Sequence, residues 1–322
     1  MAELIELLRK LLDDPLAKLA YLIVTAFSAI ANFRQAQIVS NLREDLHTRE
    51  EELNKLREDL DRREAELNKL NESLEQREAE INSLKKAIED SEGNIWNIHK
   101  SNTPPDHQRI ITEQKPIIVT IANLKGGVGK STLTANLGRY FHSRGNNVLL
   151  IDFDYQGSLS NTLLNIYGQN LQRECHNSSN ILKCNLNDNV ILSNALPISQ
   201  NIPRLDFIPT FYDLAKDENR LLLSWLLRKT NDDVRYRLSN HLLKDNIRER
   251  YDVILIDTPP RLTTGTVNAL CSSNHFLVPT VLDNTSAEAV RSFLVMVINN
   301  IKPLNPALNL LGIVGTATLR KN

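Results

Sequence analysis

Residues Ile118 to Phe141 read IVTIANLKGGVGKSTLTANLGRYF, and the fold follows from them. A β-branched apolar run, Ile118 to Ile121, leads into a glycine-rich turn, and the turn opens a stretch with apolar residues at helical spacing. In that setting Lys125-Gly126-Gly127-Val128-Gly129-Lys130-Ser131-Thr132 has the context of a phosphate-binding loop between strand and helix. The glycines let consecutive backbone N–H groups close around phosphates, and the helix N-terminus adds its partial positive charge. Lys130 is placed to reach the β/γ-phosphates and Ser131 to ligate Mg²⁺. A bare glycine-rich turn is the bland alternative, and the Gly-Lys-Ser at its end argues against it.

Outward from the loop, strand-like and helical runs alternate: PIIVTIANL, a helix from Ser131, NVLLIDF, YDVILID, HFLVPTV and LNLLGIVGT. Continuous Val/Ile-rich runs between helices predict an α/β domain with a parallel sheet buried on both faces, over 113–322.

The KGGVGKST string has Leu124 where the ordinary loop has glycine, and Lys125 just after it. It resembles the deviant Walker A motif of the ParA/MinD family. Leu149 to Ser160 (LLIDFDYQGSLS) is similar to that family's D-x-D-x-Q-G segment, with Tyr155 where many members have proline, and Tyr251 to Pro260 (YDVILIDTPP) is similar to its Walker B. The likeness covers roughly 115–322. It implies a slow, partner-stimulated ATPase that uses ATP and Mg²⁺. Lys125 would cross a dimer interface to the partner's nucleotide, Asp152 would support the Mg²⁺ shell, Asp154 would orient the attacking water, and Asp257 would hold Mg²⁺ through water. Cargo partition or positioning, an adaptor protein and non-specific DNA binding are further implications. Family members continue past the last strand with adenine-contacting and helical segments, so a chain stopping at Asn322 implies a fragment or an altered base pocket.

Before the ATPase stands something different. Residues 1–36 are read as apolar helices, with Asp13-Asp14-Pro15 as a cap and helix start. Leu19 to Phe33 carries no charge over 15 residues, short of the roughly 20 that span a bilayer. A buried helix of an oligomeric bundle is the favoured reading, ahead of membrane contact by residues 15–33 or docking of a partner. Residues 37–92 follow a 14-residue repeat, LREDLHTREEELNK, LREDLDRREAELNK, LNESLEQREAEINS. Leu46, Leu53, Leu60, Leu67, Leu74, Ile81 and Ile88 form an unbroken a row, while Arg49, Arg63 and Arg77 take every second d position. A coiled coil that makes a homodimer or higher homo-oligomer is expected, with the arginine stems along the seam selecting register and partner number. A solvated single helix would leave the a row exposed. Residues 93–112, rich in Gly, Asn, Ser and Pro, read as a linker.

Charge excludes little. Net charge is −1; residues before 110 hold 16 Lys/Arg against 22 Asp/Glu and those after hold 22 against 17. That mild basic excess falls short of a nucleic-acid stripe. Three cysteines, Cys175, Cys184 and Cys271, form no framework or C-x-x-C pair, and Glu3 and Glu6 stand where a signal peptide is basic, so a cytoplasmic protein is expected. An iron-protein electron-transfer ATPase is disfavoured because Thr258-Pro259-Pro260 follows Asp257 with no cysteine nearby, and a tyrosine kinase because no tyrosine cluster ends the chain. The alternative from another class is a coiled-coil scaffold, in a signalling or defence complex, whose nucleotide only locks assembly.

Overall fold

The computed structural model describes residues 6, 10, 14–89, 94–101, 103, 107, 115–167, 175–183, 189–199 and 202–316. The chain divides into two units, Met1–Ala79 and Glu80–Asn322. The expected helix before Asp13 lies almost wholly outside the described residues.

The first unit is built on helix α1, Pro15–Glu89, 75 residues and therefore about 110 Å long. Asp14 starts it, its carboxylate accepting from Leu16 N at 2.9 Å and its carbonyl from Lys18 N at 3.0 Å. No glycine or proline follows Pro15 within it, so nothing breaks the i to i−4 ladder. Both apolar stretches are exposed in the single chain, including Leu22, Phe27 and Phe33 near its start and Leu53, Leu60 and Leu67 further on. The helix holds an 18-residue window of mean hydropathy 1.6, wider than the 15 uncharged residues of Leu19 to Phe33 and, by length and composition alone, apolar enough to cross a membrane.

The second unit is an α/β domain. Strands β1 (Ile117–Ile121), β2 (Val148–Asp152), β3 (Leu196–Ser199), β4 (Ile202–Ile208), β5 (Val253–Asp257), β6 (His275–Val281) and β7 (Asn309–Thr316) form one sheet in the order β3-β4-β2-β5-β1-β6-β7. All neighbouring pairs are parallel except β3 with β4. That antiparallel edge was not expected from the alternation of runs. β3 is four residues with Pro197 in it, and an edge tolerates a residue that cannot donate to a ladder.

Every residue of β2 and β5 is buried, as their unbroken apolar runs require. The pleat sorts them into two cores. Leu149, Ile151, Ile254 and Ile256 face a layer made by α4 (Ser179–Lys183), α5 (Val190–Asn194), α6 (Asp213–Leu226), α7 (Arg237–Leu242), α8 (Asp245–Arg250), α9 (Thr264–Ser272) and α10 (Asn284–Met296). Val148, Leu150, Val253 and Leu255 face α2 (Lys130–Ser143) and α3 (Ser158–Tyr167). Gly138 of α2 lies so close to β2 that a Cβ there would meet Leu150 Cδ2 at 2.8 Å. The helix that carries the phosphate loop is thereby held tightly on the sheet.

The segment expected as a linker is packed onto this domain where it is described. Trp96 is buried and stacks on Trp225 of α6, ring centroids 5.9 Å apart. The buried Arg235 guanidinium donates to the carbonyls of Trp96 (2.6 Å), His99 (3.3 Å) and Lys100 (3.3 Å) and is paired with Asp233 at 2.6 Å. Ser101 and Thr103 reach the Tyr236 hydroxyl at 2.7 and 3.1 Å. Composition alone reads as a loop; a strap is what the buried arginine makes of it.

Candidate functional site

The C-terminal ends of β1, β2 and β5 lie side by side, and the sequence motifs end on them. In the register β2 and β5 bring Asp152 opposite Asp257, while Ile121 of β1 pairs with Asp257 from the other side. Ligands of open α/β sheets bind at this edge.

The loop leaves β1 through Asn123, whose amide donates to Pro279 O at 2.8 Å and whose Oδ1 accepts from Lys125 N at 3.0 Å. Gly127 and Gly129 have φ of 72° and 79°, left-handed values that side chains adopt only with strain. Gly129 is also the residue at which α2 begins, and α2 has no side-chain cap there. Its first N–H groups are consequently left for an anion. Val128 is buried, and its carbonyl accepts from Thr316 Oγ1 at 2.7 Å, which ties the loop to β7.

Lys130 is only 6% exposed; its Nζ donates to the Lys125 carbonyl at 3.2 Å. Burial lowers its pKa, and the carboxylates of Asp257 and Asp154 pull it back up. Asp257 is fully buried. Thr134 Oγ1 stands 3.5 Å from its Oδ1, and its Oδ2 has no hydrogen-bond partner among the described residues. Burial, then the charge of Asp152, raise its pKa well above the usual carboxylate range, and a bond from the Ser131 hydroxyl lowers it. Asp152 is pushed up to about 7, chiefly by burial. The unsatisfied buried oxygen of Asp257 and the serine hydroxyl beside it are hard-oxygen donors that fit Mg²⁺, with the Asp152 carboxylate on the adjacent strand end next to them.

The two aspartates differ in what they have left to offer. Both oxygens of Asp152 are taken: Oδ1 accepts from Asp154 N at 2.9 Å, and Oδ2 from Ser160 N and Oγ at 3.0 and 2.6 Å. Asp154, 7% exposed, accepts from Gln156 N at 3.0 Å as the turn to Gly157 begins. Tyr155 accepts a hydrogen bond from Arg261 Nη2 at 3.0 Å and meets Tyr212 edge-on.

Lys125 is held within its own chain. Its Nζ donates to Asp283 Oδ1 at 3.1 Å, Thr285 Oγ1 at 2.8 Å and Ser286 Oγ at 2.7 Å, at the start of α10. The Thr285 hydroxyl, the Ser286 backbone N–H and Lys125 together hold the Asp283 carboxyl well below the usual carboxylate range. Sequence reading did not single out this acceptor. Its signal is the Asp-Asn-Thr-Ser string after the β6 run, which marks a helix cap and thus a polar cluster at a strand end.

A protein-family model described as an AAA domain matches residues 116–310. The chain is 32% identical over 205 residues to the chromosome partitioning protein ParA of Caulobacter vibrioides, covering 64% of this chain and 71% of that one. It is also 32% identical over 197 residues to a Sinorhizobium fredii protein provisionally named replication protein A, covering 59% of this chain and 46% of the relative, so the chain spans about half that relative's length. Among solved structures, a plasmid partition protein from Borrelia burgdorferi aligns with TM-score 0.52 and 29% identity over 65% of this chain and 81% of that one. Cobyrinic acid a,c-diamide synthase from Mycobacterium smegmatis, solved with ADP and magnesium, aligns with TM-score 0.53 and 27% identity over 64% and 76%.

Proposed function

The chain belongs to the ParA/MinD-type P-loop ATPases, and on that footing we propose that it is a Mg·ATP-dependent dimeric switch that partitions or positions a DNA or protein cargo in the cytoplasm. The observation that carries the reading is the convergence of Lys130, Ser131 and the unsatisfied Asp257 Oδ2 at the mouth of an uncapped helix N-terminus.

Gly126 to Thr132 would cradle the ATP phosphates with backbone N–H groups, and Lys130 would exchange its carbonyl partner for the β/γ-phosphate oxygens. Ser131 and Asp257 would hold Mg²⁺, which when bound supplies charge neutralisation to the phosphates. Asp152, with both oxygens satisfied, supports that shell from outside by fixing the Asp154 backbone and α3. Asp154 would orient the attacking water. Phosphoryl transfer to water demands positioning and charge stabilisation rather than covalent work from the protein, so these groups suffice. Lys125 would leave its contacts with Asp283 to Ser286 and reach the partner's nucleotide as two ATPase domains meet face to face. An adaptor protein would stimulate hydrolysis and so release the pair, and the coiled coil would keep the two domains at high local concentration.

The test is the mass of the intact protein by light scattering, with phosphate release measured alongside, for wild type, Lys125→Ala and Asp154→Ala. Wild type is expected to respond to Mg·ATP and turn over slowly, Asp154→Ala to assemble without turnover, and Lys125→Ala to ignore nucleotide. A wild-type mass indifferent to nucleotide, with no phosphate released, would overturn the switch and favour the scaffold.

A further inference from the structure

The seam of α1 is uncovered in a single chain. Its a residues Leu46, Leu53, Leu60, Leu67, Leu74 and Ile81 are all between 49% and 60% exposed. The arginines in the seam are not randomly placed with respect to the flanking e and g charges. Around Arg49 and Arg63 both the preceding g and the following e residues are acidic, Asp45 with Glu50 and Asp59 with Glu64, while around Arg77 they are Ser73 and Glu78. Where d is leucine they are opposite in charge, Glu52 and Arg57 around Leu56, or nearly so, Glu66 and Asn71 around Leu70. Each of the first two arginines is also already held by the g aspartate one turn back, Arg49 Nε to Asp45 at 3.5 Å and Arg63 Nε to Asp59 at 3.4 Å.

Resting on the homo-oligomer part of the function proposed above, we infer that the occupant of this seam is a second copy of the chain, parallel and in register, with Arg49, Arg63 and Arg77 as its register-setting layers. In a parallel pair each g residue faces the e residue five positions on in the partner. In register, Glu52 then meets the partner's Arg57 beside a Leu56 layer. Asp45 meets the partner's Glu50 on both flanks of the pair, and these repulsive contacts border the one kind of layer that carries two guanidinium groups, which offset half of the four acidic charges. Leucine d layers thus stay wholly apolar, and the arginine layers place their cations among the acidic pairs. A slip of one heptad sets an arginine against a leucine in every d layer, losing the apolar d layers without gaining a paired arginine one. An antiparallel pairing lays the largely acidic g row, Asp45, Glu52, Asp59 and Glu66 among it, against itself. A polar seam residue that costs stability while fixing alignment is a known use of such positions. Parallel alignment has a direct mechanistic result: both ATPase domains follow from the same end of the coil.

The test uses the full-length chain with Cys175→Ser and Cys184→Ser, into which Leu42→Cys or Leu70→Cys is introduced. Under mild oxidation each variant is expected to close a disulfide with its own counterpart, and co-expression of the two is expected to yield no mixed 42–70 disulfide. Adding Arg49→Leu, Arg63→Leu and Arg77→Leu is expected to lower that same-site cross-linking several-fold and raise the mass above a dimer. A dominant 42–70 product, absence of same-site product in a dimer, or an arginine-free seam that cross-links as before would each overturn the inference. A monomeric mass would instead remove the homo-oligomer on which it rests.

Discussion

Replacing Glu218 by glutamine should make the ATPase domain more stable in mild alkali and leave it nearly unchanged in mild acid. Glu218 of α6 is 4% exposed, and its Oε1 accepts from Gly265 N at 2.6 Å. Gly265 can come this close only because it lacks a side chain, since a Cβ there would meet the same oxygen at 2.7 Å. Burial raises the Glu218 pKa from 4.5 to about 7; bonds from Thr263 and Gly265 oppose the rise, and the nearby charge of Asp154 adds to it. Because the folded value is raised, the stability it contributes is complete below the unfolded pKa of about 4.5. It falls as pH rises, and is lost once pH passes about 7. The total is on the order of 3 kcal/mol. Glutamine keeps the acceptor for Gly265 and cannot ionise. Urea unfolding followed by near-UV circular dichroism should therefore give stabilities within about 1 kcal/mol of each other near pH 5 and a variant more stable by about 3 kcal/mol near pH 8. The reasoning is refuted if the difference between the two proteins is the same at both pH values, or if glutamine destabilises near pH 8.

Two further outcomes follow from contacts elsewhere in the domain. Asp283→Asn, which keeps a helix cap but removes the charge facing Lys125, should let Mg·ATP drive association at several-fold lower nucleotide concentration, read by a light-scattering titration; an unchanged midpoint would mean the contact does not compete with the partner. Arg235→Met should cost roughly 3–5 kcal/mol in urea unfolding, because it removes the guanidinium paired with the buried Asp233 and unbinds three strap carbonyls, and a loss under about 1 kcal/mol would contradict the strap as a structural element.

Much of the α/β domain is legible in the sequence. Strands β1, β2 and β5 are buried on both faces and so had to be unbroken apolar runs, and a motif that must bind phosphate through backbone N–H groups has little freedom in its residues. Legibility failed where meaning depends on a distant partner. The four residues of β3 carry too little pattern to announce a strand, and their direction is set by pairing with β4. Trp96 sits in a Gly- and Asn-rich stretch, and only the buried Arg235, 139 residues later, turns that stretch into a strap. Lys125 stands out in the sequence as an extra lysine in the loop, but its contact with Asp283, 158 residues on, follows from β1 and β6 being neighbours in the sheet. The α1 repeat was legible because it is local and periodic.

The strap also has an optical consequence. The chain contains two tryptophans, Trp96 and Trp225, and they are each other's stacking partners, with the Arg235 guanidinium 5.0 Å from the Trp225 ring centroid. The long helix α1 carries none, so it is silent when indole is excited selectively. Intrinsic emission from the unmodified protein therefore reports on a single place. Peeling the strap from the domain would expose both rings to water and shift the emission to the red, whereas melting of the coil would pass unseen. No label is needed to learn whether nucleotide or an adaptor disturbs the strap.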